Sequence, residues 1–415
     1  MNQLEKNRDQ DGKPNFATHV KTVAYALREA LADLVASAGA DPTQPQEMAR
    51  RFDLNKNLTW KISRIICETD PMSTIPLLPG KSGMGILVRS LKAAGASERA
   101  VSCVHRALAE FDRMVNTHTG DRHTLEMMLG NLTRDGEQQR NEAHRKLAFR
   151  GNSAIWGVQA RVQLTTNIIA PSSVAEDKVD LGWLSGLVDF RRLRPDVPWA
   201  IASARKFETN GKELAVGRIE AIDPRFAKEG DVPLLGDFCS QPIPEIRSVD
   251  VSEGTLRYEL AEGPVGNTAA ATCIVGLFGR AFITRYRYGV NTLGEHIARL
   301  STPVELLIHD LFVHEDLDYA MNPEVTLHNQ LPGGPMYPTS GRDVGRLPLQ
   351  EQIIELGPGA NGVLTPEVTQ YRKMLHSVFE RLNWDPARFR GFRFKQRFPP
   401  IPSLAILRYE LPERV

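Results

Sequence analysis

No run in this chain approaches the roughly 18 consecutive apolar residues that a membrane-spanning helix needs, so no transmembrane segment is expected. Its 415 residues hold four cysteines, Cys67, Cys103, Cys239 and Cys273. None stands in a Cys-x-x-Cys spacing, and four in a chain this long make no disulfide framework. They read as reduced core residues. Net charge is also lacking: 51 Lys and Arg against 50 Asp and Glu leave a formal +1. Affinity for a polyanion would therefore have to come from a local patch rather than from the field of the whole chain. The opening residues, MNQLEKNRDQDGKPN, contain no apolar signal core, which makes a cytoplasmic location the expectation. No Ser or Cys sits in a Gly-x-Ser-x-Gly or related nucleophile context, and there is no internal repeat.

What the chain does contain is an ordinary globular composition, 41% hydrophobic and 24% charged, at a length that suits about two or three domains. Its texture changes near residue 150. Before that point the periodicity is helical. Val20, Val23, Leu27, Leu31 and Leu34 form an amphipathic helix over 16–38 closed by Gly39, and Ser97 caps another that buries Val101, Val104, Leu108, Phe111, Met114 and Val115. Residues 69–85 read as a loop leading to a helix through Ile86, Leu87 and Leu91, and 123–148 as a further helix with a polar middle. After residue 150, runs such as AIWGVQARVQLTTNIIA, WAIASARKF, ELAVGRIEAI, GTLRYELAEG, AATCIVGLFG and RAFITRYRYGV have the β-branched, Gly- and Pro-bounded look of strands. Helices are expected there at 303–309 and 366–382, the second capped by Thr365 with Glu367 in its first turn, with an extended tail around FPPIP. The fold class is thus α+β: a disordered arm over 1–15, a helical domain over 16–148, and a β-rich region over 151–415 made of one or two domains.

Residues 45–66, PQEMARRFDLNKNLTWKISRII, carry the most specific signal. Thr43 and Gln46 fit a capping box, with Pro45 in the first helical turn. Met48, Ala49 and Phe52 share a face. Asp53 stands at a turn position that favours a left-handed backbone. Asn55 is placed to cap a second helix with an apolar stripe of Leu58, Ile62, Ile65 and Ile66. That leaves Asn55, Lys56, Asn57, Thr59, Trp60, Lys61, Ser63 and Arg64 on the open side. Amides read adenine edges, Lys and Arg reach guanine or phosphate, and Thr touches thymine methyls. Within 45–66, five basic residues face two acidic ones, a balance that phosphates favour.

These 22 residues resemble the helix-turn-helix units of bacterial transcription regulators. They depart from the common pattern at Asp53, where glycine is usual, and at Leu58-Thr59, where the buried residue usually falls one place later. The resemblance implies that Asn55, Lys56, Asn57, Thr59, Trp60, Lys61 and Arg64 face the major groove of double-stranded DNA. It also implies a homo-oligomeric regulator whose C-terminal region dimerises or senses a small-molecule effector. No enzyme activity, cofactor or metal is expected on this reading. The plain alternative is an antiparallel helix pair with a solvated basic face.

Other patterns are weaker. Gly80-Lys81-Ser82 ends like a phosphate-binding loop, but Ile75 stands where that loop needs glycine. Gly357 to Gly362 fits Gly-x-Gly-x-x-Gly with too little chain behind it for a dinucleotide fold, and reads as a turn. His309, Asp310, His314 and Glu315 form the best metal candidate, although a five-residue offset on one helix turns the two rings apart. His118 and His123 are placed in a loop. Arg191, Arg192 and Arg194 form a second basic cluster for an acidic effector or a solvated edge. A metal-dependent enzyme in the C-terminal region and a structural assembly protein therefore stand as alternative functions.

Overall fold

The computed structural model describes residues 15–130, 137–205, 219–226, 232–252, 255–289, 291–330, 345–360 and 363–414. Nearly all of the expected arm, the middle of the segment expected as a helix over 123–148, the start of ELAVGRIEAI and the last two residues of the Gly-x-Gly-x-x-Gly match lie outside them. The chain is α+β, with helices in the N-terminal part and a β-rich C-terminal region. It divides into two compact units, 1–140 and 141–415. No described helix is long and apolar enough to cross a membrane.

The first unit is built from α1 (Phe16–Ser37), α2 (Pro45–Arg51), α3 (Lys56–Cys67), α4 (Lys81–Ala93), α5 (Glu98–His118) and α6 (Arg122–Gly130). Asn15 caps α1 by accepting from the amides of Ala17 and Thr18. The apolar stripe of α1 is buried as its period dictates, and α1 packs on α5. Both α1 and α4 stop by the same device. Gly39 and Gly95 take φ of +68° and +99°, and the next amide turns back to a carbonyl five residues earlier, Ala40 to Val35 and Ala96 to Leu91. A left-handed residue at that position satisfies carbonyls that the helix leaves open.

Two boundaries differ from the sequence reading. Residues 71–77 form a 3-10 turn and α4 already starts at Lys81, so the glycines of 80–85 belong to a helix start rather than to a loop. His118 and His123 lie in α5 and α6, not in a loop, and His118 packs against His19 at 2.9 Å.

The second unit opens with the end of α7 (Glu137–Trp156), which continues through Ala154-Ile155-Trp156, residues expected as strand. Gly157, at φ +73°, makes the reversal. A mixed seven-stranded sheet follows in the order β12 (Ile354–Pro358), β13 (Phe389–Arg397), β9 (Val304–His314), β1 (Val158–Pro171), β2 (Lys178–Arg192), β7 (Ala271–Thr284), β4 (Ile219–Ala221). Only the β1–β9 pairing is parallel. A four-stranded sheet runs β11 (Arg346–Leu347), β10 (Glu324–Asn329), β14 (Ser403–Glu410), β8 (Leu293–Leu300), and a three-stranded one β3 (Trp199–Arg205), β6 (Thr255–Leu260), β5 (Ile246–Ser252).

One face of the large sheet buries Leu164, Ile168 and Phe312 under Met374, Val378 and Phe379 of α8 (Tyr371–Leu382). The other buries Ile169, Leu307 and Leu311 against Ala298, Ala405 and Leu407 of the four-stranded sheet. Strand β9 is therefore covered on both sides. This explains why its residues are buried without a break from Leu307 to His314 rather than alternately, and why residues 303–309, expected as a helix, form a strand. Helix α8 begins at Tyr371, later than its expected start at 366. Thr365 donates its hydroxyl to the Glu367 carboxylate instead of capping the helix.

Candidate nucleic-acid interface

Helices α2 and α3 are joined by four residues, Phe52 to Asn55, and the turn has clear local causes. Asp53 adopts φ +50°. The Leu54 amide returns to the Ala49 carbonyl at 3.0 Å, the same stop that Gly39 and Gly95 provide elsewhere. Phe52 and Leu54 are buried on either side of Asp53. Asn55 then caps α3, its side-chain oxygen accepting from the Asn57 amide at 2.8 Å. The expected capping box on α2 is not formed: Gln44 is the cap residue, without a side-chain bond, and Thr43 bonds the Asp41 carboxylate through both its amide and its hydroxyl.

The buried stripe of α3 is Thr59, Ile62, Ser63, Ile65 and Ile66. This corrects the open-face assignment of Thr59 and Ser63. Thr59 is fully buried and donates its hydroxyl to the Lys56 carbonyl at 3.1 Å, while Leu58, expected to be buried, is only partly so. Thr59 is thus removed from the candidate contact residues.

On the outward side remain Lys56, Asn57, Trp60 and Arg64, all exposed, with Lys61 half-buried beside them. Asn55 is exposed too, but its amide oxygen is engaged by the cap. The cations differ in availability. Lys56 and Lys61 have no carboxylate partner among the described residues. Arg64 is paired with Glu68 one turn further on, at 2.7 Å. Arg51 is spent on structure, donating to the carbonyls of Ala38 and Gly39 at the end of α1. Arg28 likewise donates to the Ile66 carbonyl near the end of α3, at 2.9 Å. The charge that a ligand would meet on α3 is therefore smaller than a count over 45–66 suggests.

The metal candidate dissolves into two faces of one strand. Asp310 is fully buried and clasped by Arg393, whose Nε and Nη2 donate to its two oxygens at 2.8 and 2.6 Å. Tyr371 donates its hydroxyl to the same carboxylate, and Thr166 lies 3.0 Å from the Tyr371 oxygen. Burial and the adjacent Asp310 charge hold the Tyr371 pKa well above its ordinary value. His309, on the opposite face, sits 3.2 Å from the Asn167 amide nitrogen, and burial depresses its pKa to about 3. His314 stacks edge-on against Phe389, and Glu315 pairs with Arg388 at 2.6 Å. Among the described residues no group of three or more His, Cys, Asp or Glu is placed to hold a metal.

The Asp310–Arg393–Tyr371 group was invisible to motif reading because its members lie 61 and 83 residues apart. The second basic cluster is likewise structural. Arg192 is buried and donates to the carbonyls of Val197 and Ala261, Arg191 bonds Asn267 at 2.8 Å, and Arg194 donates to the Ile155 carbonyl at 3.1 Å.

No known protein-family model, curated protein or solved structure matches this chain.

Proposed function

We propose that the helical unit binds double-stranded DNA through the outward side of α3, and that the protein is a DNA-binding transcription regulator. The observation that carries the reading is the four-residue turn closed by Asp53. It holds α2 and α3 as a short helix pair while the side chains of Lys56, Asn57, Trp60 and Lys61 stay exposed or half-exposed, without a hydrogen-bond or ion-pair partner among the described residues. In such an arrangement Lys56 and Lys61 contact phosphates, Asn57 reads a base edge through its amide, and Trp60 packs its ring on the sugar-phosphate wall. Burial of Thr59, one place after Leu58, supports this reading. As a homodimer the protein would read two half-sites about one helical turn apart.

The test is selection of fragmented genomic DNA by the full-length protein beside a Lys56→Ala/Lys61→Ala/Asn57→Ala variant, at low and moderate salt. A shared sequence enriched by the parent and lost in the variant supports the proposal. Equal retention by both proteins, or none by either at low salt, removes it.

A further inference from the structure

A cleft of about 460 Å³ opens in the β-rich unit, lined by residues of the large sheet, β8 and the β3–β6 pair. We infer that this cleft is a binding site for a small organic anion bearing an aromatic ring, with Arg299 as its counter-charge.

Its floor is the side of β1 and β2 that turns toward the four-stranded sheet: Gln163 and Thr165, both buried, alternate on one strand, Trp183 and Ser185 on the next. One wall is β8, which contributes Arg299, and another is β6, which contributes Arg257. Among the described residues no Asp or Glu lines it. Arg257 already has a carboxylate, Glu259, two residues along its own strand. Arg299 has none among the described residues. Its side chain stays open to solvent through the cleft, yet enough protein surrounds it that burial lowers its pKa. A partly desolvated guanidinium without a counter-ion is unfavourable, and a bound carboxylate or phosphate would offset that cost through paired charge-assisted hydrogen bonds.

The surroundings suit such a guest. The Thr165 and Ser185 hydroxyls both border the cleft, and neither has a side-chain hydrogen bond among the described residues. The Trp183 ring supplies an apolar surface beside them. The wall is held in place, since Gln163 donates its amide to the Arg299 carbonyl at 2.6 Å and so ties β8 to β1. At Gly186 an added Cβ would come within 2.4 Å of the Cys273 carbonyl oxygen, so a larger residue there would disrupt the β2–β7 pairing under the floor. The volume falls within the usual range for small-ligand pockets, about 300–1,000 Å³.

The site stands independently of DNA binding, and its test uses the full-length protein without DNA. Titration calorimetry would compare benzoate, phenyl phosphate and inorganic phosphate with neutral benzamide. Three proteins would be measured: the parent, Arg299→Gln, and Ser185→Leu, which narrows the cleft without changing charge. Circular dichroism verifies that each variant is folded. The expected result is saturable binding of an aromatic anion by the parent, at least tenfold weaker in both variants, with benzamide not bound. Preference for benzoate or for phenyl phosphate assigns the head group. Binding of inorganic phosphate as tight as that of the aromatic ligands would overturn the role of the ring. Binding that persists unchanged in Arg299→Gln, or no binding of any probe at 10-millimolar order, would overturn the site.

Discussion

Asp53 shows how one residue can serve a turn at some cost. At φ +50° it occupies backbone space that non-glycine residues enter at a penalty, about 1–2 kcal/mol for most and less for Asp. It also places a negative charge at the negative end of α2. Asp53→Gly should therefore raise the stability of the helical unit, by up to about 1 kcal/mol, as a higher denaturant midpoint with an unchanged slope; a lower midpoint would mean that Asp53 makes an interaction beyond the turn. Thr59 gives the opposite case. Because it is fully buried, Thr59→Asp would place a carboxylate in the helical core and should abolish the cooperative unfolding of that unit. Were Thr59 on the outward face, the same change would leave stability intact and act only on ligands. At Asp310, replacement by Asn leaves the Arg393 guanidinium buried without its counter-charge. The expected loss is about 3–5 kcal/mol, read from chemical denaturation of the β-rich unit; a loss below about 1 kcal/mol would show the pair to be dispensable.

Among the elements, α3 was the most legible and also the most instructive. Its limits follow from the Asn55 cap and the isoleucine spacing, both local. Its isoleucines are buried as their spacing dictates, but the first buried position is Thr59 rather than the more hydrophobic Leu58. The packing of α2, α1 and the 3-10 turn against α3 decides between them. The ion pairs carry a prediction that sequence alone would miss. If α3 meets phosphates, Lys56→Ala and Lys61→Ala should each lower the slope of log affinity against log salt by about 1. Arg64→Ala should do less, since its guanidinium already has Glu68, and Glu68→Gln should strengthen binding by freeing it. Equal slopes for all four variants would place the contact surface elsewhere. Strand β9 failed in the other direction. A short, mostly apolar run is compatible with a helix or with a strand buried on both faces, and nothing within residues 303–314 distinguishes them. The parallel partner β1, more than a hundred residues earlier, makes the choice.

For the molecule as a whole, acid stability should be set in the β-rich unit. His296 and His309 are fully buried there, and burial depresses their pKa values to about 4 and about 3. Both are neutral in the folded state at pH values where the unfolded chain binds a proton, near 6.5. Stability is therefore at its full value above pH 6.5 and falls as the pH drops toward 4, since the unfolded state takes up more protons in that window. Glu367 adds a second loss at lower pH. Burial works against its charge, but the Thr365 hydroxyl and Lys395 ammonium hold its pKa down to about 2, so its contribution is lost between about pH 4.5 and 2. Unfolding midpoints recorded from pH 8 to pH 4 should decline, and more steeply below 6.5. A His296→Phe/His309→Phe variant that kept the parent's pH dependence would contradict this origin.

Local chemistry in the sequence determined that the N-terminal part is helical and the remainder β-rich, where α1 stops and α5 starts, and that a tight turn separates two helices at residues 52–55. These follow from caps, left-handed residues and 3.6-residue spacing, which act over a few positions. The tertiary structure alone decided that β7 is one continuous strand rather than two, that β2 runs for 15 residues through a stretch without strand-like bounds, and that residues 303–314 form a central strand. It alone brought Asp310, Arg393 and Tyr371 into one buried group and set Arg299 across a cleft from Trp183. Those outcomes depend on pairings between residues far apart along the chain. Their energies arise from burial and charge compensation between elements, and no short stretch of sequence contains both partners.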